Sequence, residues 1–125
     1  MKKQFLAAAL ITFLVGSVSA FAADGPTKKA DGVLVAENGM TLYVFDKDMA
    51  DSGKSNCNGP CLALWPALLA KEVDKAAGDY TIITRDDGAK QWALKGKPLY
   101  FWSNDKKPGD KTGDKFKDVW HVIPQ

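Results

Sequence analysis

The chain has only two cysteines, Cys57 and Cys61, four positions apart with Asn58-Gly59-Pro60 between them. In an oxidising compartment such a pair closes into a disulfide, because the intervening residues turn readily. The loop-entropy model credits so short a closure with about 2 kcal/mol. A redox-active pair is the alternative, but the spacing is not Cys-x-x-Cys, and no histidine or basic residue adjoins either thiol to lower its pKa. The single histidine, His121, cannot supply the several nitrogen or sulfur ligands that zinc, copper or haem sites draw on. Pairing it with Met40 or Met49 would make a poor copper site. Asp46, Asp48 and Asp51 suggest calcium, yet they fail the EF-hand pattern, with no glycine at the sixth position and no terminal glutamate. No metal or cofactor is therefore expected. No Ser, Thr or Cys stands in a nucleophile motif, which disfavours an enzyme.

Aromatic and cationic residues offer a different chemistry. Strand alternation would put Tyr43 and Phe45 on one face and Leu42 and Val44 on the other, and Tyr100 and Trp102 repeat the arrangement. Either both faces are covered, or the aromatic face lines a cleft for a ligand or partner. Arg85, the only arginine beside 16 lysines, precedes the turn Asp86-Asp87-Gly88. Its planar fork suits a bidentate pair with Asp48, Asp105 or Asp87 that locks the turn, or recognition of an anionic ligand. Candidate ligand or partner residues are thus Tyr43, Phe45, Arg85, Tyr100 and Trp102, and candidate turn-locking residues are Asp48, Asp105 and Asp87.

These residues must be carried by short strands. Val33 to Glu37 and Met40 to Asp46 flank Asn38-Gly39, a type I′ hairpin signal. Tyr80 to Thr84 turns through Asp86-Asp87-Gly88 into Gln91 to Leu94, and Lys95-Gly96 leads to Pro98 to Trp102, whose proline belongs at a strand start or edge. Val119 to Ile123 closes the chain. Cys61 to Lys75 suits one or two helical turns broken by Pro66, and Ser103 to Asp118, rich in Lys, Asp and Gly, suits a long solvated loop.

An internal repeat appears at an offset of 57 positions, where Gly39, Leu42, Tyr43, Phe45 and Asp48 fall on Gly96, Leu99, Tyr100, Trp102 and Asp105. Each half later supplies a tryptophan, Trp65 or Trp120. The expected fold is all-β or β-dominated: about six strands in two related hairpin units, 33–70 and 80–125, within one domain 33–125 and with a minor helical segment. The paired Leu-Tyr-x-aromatic-x-x-Asp motif, Cys57-x-x-x-Cys61 with Trp65-Pro66, Thr84 to Gly88, Gln91-Trp92, Gly96 to Tyr100 and Val119-Trp120-His121 together resemble a bacterial family described as a secreted repeat of unknown function. Many of its members are predicted lipoproteins. The resemblance implies an exported bacterial protein and carries no biochemical activity with it.

Export is also written at the start of the chain. Lys2 and Lys3, the apolar run Phe5 to Gly16 and the small residues near Ala20 and Ala22 read as a signal peptide, 1–22, cleaved after Ala22. The apolar run is too short to span a bilayer as a helix. No cysteine lies at the cleavage point to take a lipid, so a free periplasmic or secreted form is expected, with residues 23–32 as a flexible lead-in. Loss of Lys2 and Lys3 turns 17 basic against 15 acidic residues into 15 against 15, and so balanced a chain lacks the one-sided positive face that nucleic acid requires. The sequence thus points to a soluble, non-catalytic binding or interaction module for a periplasmic small molecule or protein. A small periplasmic enzyme or a redox or metal carrier is the alternative, and nothing in the sequence specifies an oligomeric state.

Overall fold

A computed structural model describes residues 25–125. The expected signal peptide, its cleavage point and the first lead-in residues lie outside the described residues. Seven strands form three antiparallel sheets. Strands β1 (Thr27–Ala30) and β2 (Val33–Ala36) make one sheet, β3 (Tyr43–Phe45) pairs with β7 (Trp120–Val122), and β4 (Tyr80–Thr84), β5 (Lys90–Leu94) and β6 (Lys97–Pro98) make the third. One helical turn, α1 (Pro60–Leu64), stands between the halves.

Turn chemistry explains the hairpins. Asp31-Gly32 and Lys95-Gly96 are two-residue loops with positive φ at both positions, the geometry that matches strand twist. The first of them builds β1 inside the segment 23–32, where a flexible lead-in was expected: Asp-Gly is as strong a hairpin signal as Asn-Gly, and it registers Ala30 opposite Val33. At Asn38-Gly39 the hairpin forms, but not by the expected type I′ turn. Only Gly39 has positive φ. The Ala36 N–H donates to the Met40 carbonyl and the Gly39 N–H to the Ala36 carbonyl, so the loop has three residues. Arg85 to Ala89 repeats this pattern of bonds.

Two segments depart from expectation. Helix ends at Leu64, because Pro66 cannot donate a helical bond. The chain then runs extended: Leu68 N–H donates to the Leu99 carbonyl at 2.9 Å, Trp92 N–H to the Leu68 carbonyl at 2.9 Å and Ala70 N–H to the Lys90 carbonyl at 3.0 Å. Sheet partners thus outcompete helical propensity over 66–70. The stretch 103–118, expected as a solvated loop, is instead pinned to the interior, with Asp105 buried and Phe116 packed against the aromatic core.

The core has two halves, one on each side of the repeat strands. Tyr43, Phe45, Trp65, Tyr100, Trp102, Trp120 and Cys57 form one cluster; Leu34, Ala36, Leu42, Trp92 and Leu99 form the other. Alternation therefore holds in both repeats, and both faces are covered. Gly113 lies so close to the aromatic cluster that a Cβ there would stand 2.7 Å from Trp65 and 2.9 Å from Trp102. Gly113→Ala should consequently cost about 1–3 kcal/mol through overpacking, read as a lowered urea midpoint with an unchanged slope. An unchanged midpoint would contradict this packing.

Candidate functional site

The two repeat tyrosines face each other. Tyr43 N–H donates to the Tyr100 carbonyl at 2.8 Å, and Tyr100 N–H returns the bond at 3.0 Å, the hydrogen-bonded pairing of antiparallel chains. Their side chains then cross. The Tyr43 hydroxyl donates to Asp105 Oδ2, and the Tyr100 hydroxyl to Asp48 Oδ2, both at 2.6 Å. Each motif's tyrosine is thus completed by the other motif's aspartate. Asp48 Oδ1 also accepts the Asn56 N–H, and Asp105 Oδ1 accepts the N–H and hydroxyl of Thr112. The carboxylates therefore tie the segment after each motif to its turn. The Lys97 ammonium adds a further inter-repeat tie, donating to the carbonyls of Phe45 at 2.9 Å and Asp48 at 2.8 Å.

The aromatic side chains cross in the same way. Phe45 stacks on Trp120 at 4.3 Å, Trp120 on Trp65 at 3.8 Å with planes 2° apart, and Trp65 on Trp102 at 4.0 Å. The result is one column of four rings drawn alternately from the two repeats. Tyr43 meets Trp65 edge-on at 5.3 Å and Tyr100 meets Trp120 edge-on at 5.1 Å, both favourable aromatic geometries.

Arg85 is buried, with 2% of its surface exposed. One terminal nitrogen, Nη1, donates to Ser55 Oγ at 2.8 Å and Gln91 Oε1 at 2.7 Å, while Nη2 donates to the Cys57 carbonyl and to Asn58 Oδ1. Neither Asp48 nor Asp105 contacts it directly, because both carboxylates are already occupied by a tyrosine and by backbone. Asp87 stands 3.7 Å from Nε, without a hydrogen bond. Instead of a bidentate carboxylate pair, the fork grips the segment 55–58, whose end is closed by the Cys57–Cys61 disulfide. Ser55 Oγ in turn meets the Tyr100 hydroxyl at 2.6 Å, so a continuous hydrogen-bonded chain runs from Arg85 through Ser55 and Tyr100 to Asp48. Such chains polarise and strengthen their members.

The five candidate binding residues are therefore together in the interior. His121 is elsewhere, paired at the surface with Asp46 at 2.8 Å, and the described residues contain no group of three or more metal-ligating side chains. Sequence reasoning missed Ser55, Gln91, Thr112 and the Gly113 N–H that donates to the Tyr43 hydroxyl. Ser55 lies outside every motif, Gln91 figures only as part of Gln91-Trp92 with no role of its own, and Thr112 and Gly113 sit in a stretch whose composition suggests solvent.

An open groove of about 490 Å³ lies on the opposite side of the repeat strands, over Leu68, Trp92 and Phe101. Leu69 lines it at 59% exposure, and Val73, close by in sequence, is 80% exposed. Its lining mixes these apolar side chains with Glu37, Asn38, Lys71, Asp74 and Lys75.

A family model described as a secreted repeat of unknown function matches the chain twice, over residues 25–69 and 81–123. No curated protein and no solved structure matches it.

Burial, reinforced by the bonds to Asp105 and Asp48, pushes both phenols above their ordinary 10.0, and burial also raises Asp48, against the pull of Tyr100, Asn56, Lys97 and Arg85. A raised folded-state pKa contributes stability that is complete below the unfolded value and lost as pH rises. Two losses should follow in urea midpoints measured across pH. One starts at the ordinary carboxylate value of 3.8 and disappears in Asp48→Asn. The other starts near 10.0, with phenolate absorbance of the two tyrosines rising together with unfolding. An acid-side slope unaltered in Asp48→Asn would contradict this assignment.

Proposed function

We propose, since the chain belongs to the family of secreted repeats of unknown function, that it serves outside the cytoplasm as a non-catalytic binding or interaction module. The observation that carries this reading is the groove over Leu68, Trp92 and Phe101, rimmed by Glu37, Asn38, Lys71, Asp74 and Lys75, with Leu69 and Val73 exposed at or near it. A concave surface of this volume with both apolar and charged side chains in its lining is where a ligand or partner would be held. Tyr43, Phe45, Arg85, Tyr100 and Trp102 contribute from behind. Phe101 is held between Tyr100 and Trp102, whose side chains anchor the opposite face, and Trp92 follows Gln91, which bonds Arg85 and the Leu99 carbonyl. The repeat motif thereby fixes the groove floor.

Cleavage after Ala22 would release the module into the periplasm or the medium, with no cysteine there to anchor it. No described helix is long and apolar enough to cross a membrane. The partner is a periplasmic small molecule or protein.

Native mass spectrometry of the protein recovered from the exported fraction of its own host tests the reading. A bound molecule or partner is expected, lost in Leu69→Glu and retained in Met49→Glu, since Met49 is exposed but does not line the groove. Binding indifferent to Leu69→Glu, or a tightly retained metal, haem or flavin, would overturn it.

A further inference from the structure

Three indoles, among the most readily oxidised side chains, form an uninterrupted stack: Trp120 on Trp65 at 3.8 Å and Trp65 on Trp102 at 4.0 Å. At one end of the path Tyr100 meets Trp120 edge-on at 5.1 Å; at the other Trp102, 5% exposed, lies just beneath the surface. The Tyr100 hydroxyl donates to a carboxylate, Asp48 Oδ2, at 2.6 Å, where any neutral acceptor would have satisfied the phenol. Ring contact for an electron and a short bond to a base for a proton are the requirements of a redox-active tyrosine.

We propose that Tyr100 is a one-electron donor: a one-electron oxidant at the surface, such as a high-potential metal complex or an oxidised redox protein, draws an electron from Tyr100 through Trp120, Trp65 and Trp102, while the phenolic proton moves to Asp48. The O–H bond of Tyr100 breaks and an O–H bond forms on Asp48 Oδ2. The products are a neutral tyrosyl radical, a protonated carboxyl and the oxidant reduced by one electron. Return of an electron restores the phenol and takes the proton back.

Charge favours this route. Loss of an electron alone would leave a phenol radical cation in the low-dielectric interior, which is costly. Proton transfer to Asp48 instead neutralises a buried carboxylate, and desolvation of that carboxylate raises its affinity for the proton. The chain from Arg85 through Ser55 holds the Tyr100 oxygen in place during the step. Tyr43 also has a bond to a carboxylate and an edge-on contact with an indole, but Asp105 accepts two further bonds from Thr112 where Asp48 accepts one from Asn56. The additional donor makes Asp105 the poorer proton acceptor, so Tyr43 serves as the comparison within the same core.

Flash photolysis of the intact, disulfide-bonded protein with photogenerated tris(bipyridine)ruthenium(III), read by transient absorption and electron paramagnetic resonance, tests the proposal. The parent should give a tyrosyl signal that narrows when the protein is made with ring-deuterated tyrosine, a readout needing no variant. Tyr43→Phe should keep most of that signal and Tyr100→Phe should lose most of it. Asp48→Asn retains an oxygen acceptor but not the base; it should slow the tyrosyl rise, let an indole radical accumulate and abolish the slowing seen in deuterated solvent. An indole radical alone in the parent, a signal undiminished in folded Tyr100→Phe, or kinetics unchanged in Asp48→Asn would each overturn the proposal.

Discussion

A buried phenol and a buried carboxylate each need a partner, and in this protein neither repeat contains the right one within reach. Tyr43 turns to Asp105 and Tyr100 to Asp48. An unpartnered polar group in the interior costs about 1–3 kcal/mol, more when charged, so separating the repeats breaks both tyrosine–carboxylate bonds together. This crossed satisfaction joins the two repeats. The rest of the architecture follows from it: the backbone pairing of Tyr43 with Tyr100, the alternating column of rings, and the close approach of Gly113 to Trp65 and Trp102.

The sheets alone could not do this. Two of the three sheets have only two strands, and an isolated two-stranded hairpin is marginal in water. Stability must come from contacts between them, and these are concentrated in two places. On one side the rings interdigitate. On the other, Arg85, Ser55, Gln91 and the disulfide bind the segment 55–58 to β5. The groove lies where Trp92 of β5 and Phe101 of the second repeat motif meet the segment 68–77. Both faces of each Tyr-x-aromatic-x-x-Asp strand thus build the fold, one through its rings and carboxylates and the other through Leu42 and Leu99 in the aliphatic cluster.

Much of this was legible in the residues. Alternation at 42–45 and 99–102 correctly assigned both faces, the 57-residue offset identified the repeats, and export with close spacing identified the disulfide. Glycine-containing turns located most strands, while β1 was missed because the low hydrophobicity of Thr27–Ala30 outweighed the Asp31-Gly32 signal. What the sequence could not reveal was which repeat completes which. The motif reads as Tyr43 with Asp48, five residues apart, yet the bonds run between repeats, because a strand carries its own aspartate past the end of its tyrosine. Arg85 was readable as special but not as a clamp on carbonyls, since main-chain acceptors leave no mark in side-chain identity. Composition misled at 103–118, where one carboxylate among many lysines is buried.

The crossed pairing is open to a direct measurement, a pair of double-mutant cycles on folding free energy. Tyr43→Phe combined with Asp105→Ala joins residues of different repeats that touch; Tyr43→Phe combined with Asp48→Ala joins residues of one motif that do not. The account predicts a coupling of about 0.5–3 kcal/mol in the first cycle and additivity within roughly 0.3–0.5 kcal/mol in the second. Additivity across the repeats together with coupling inside the motif would contradict it.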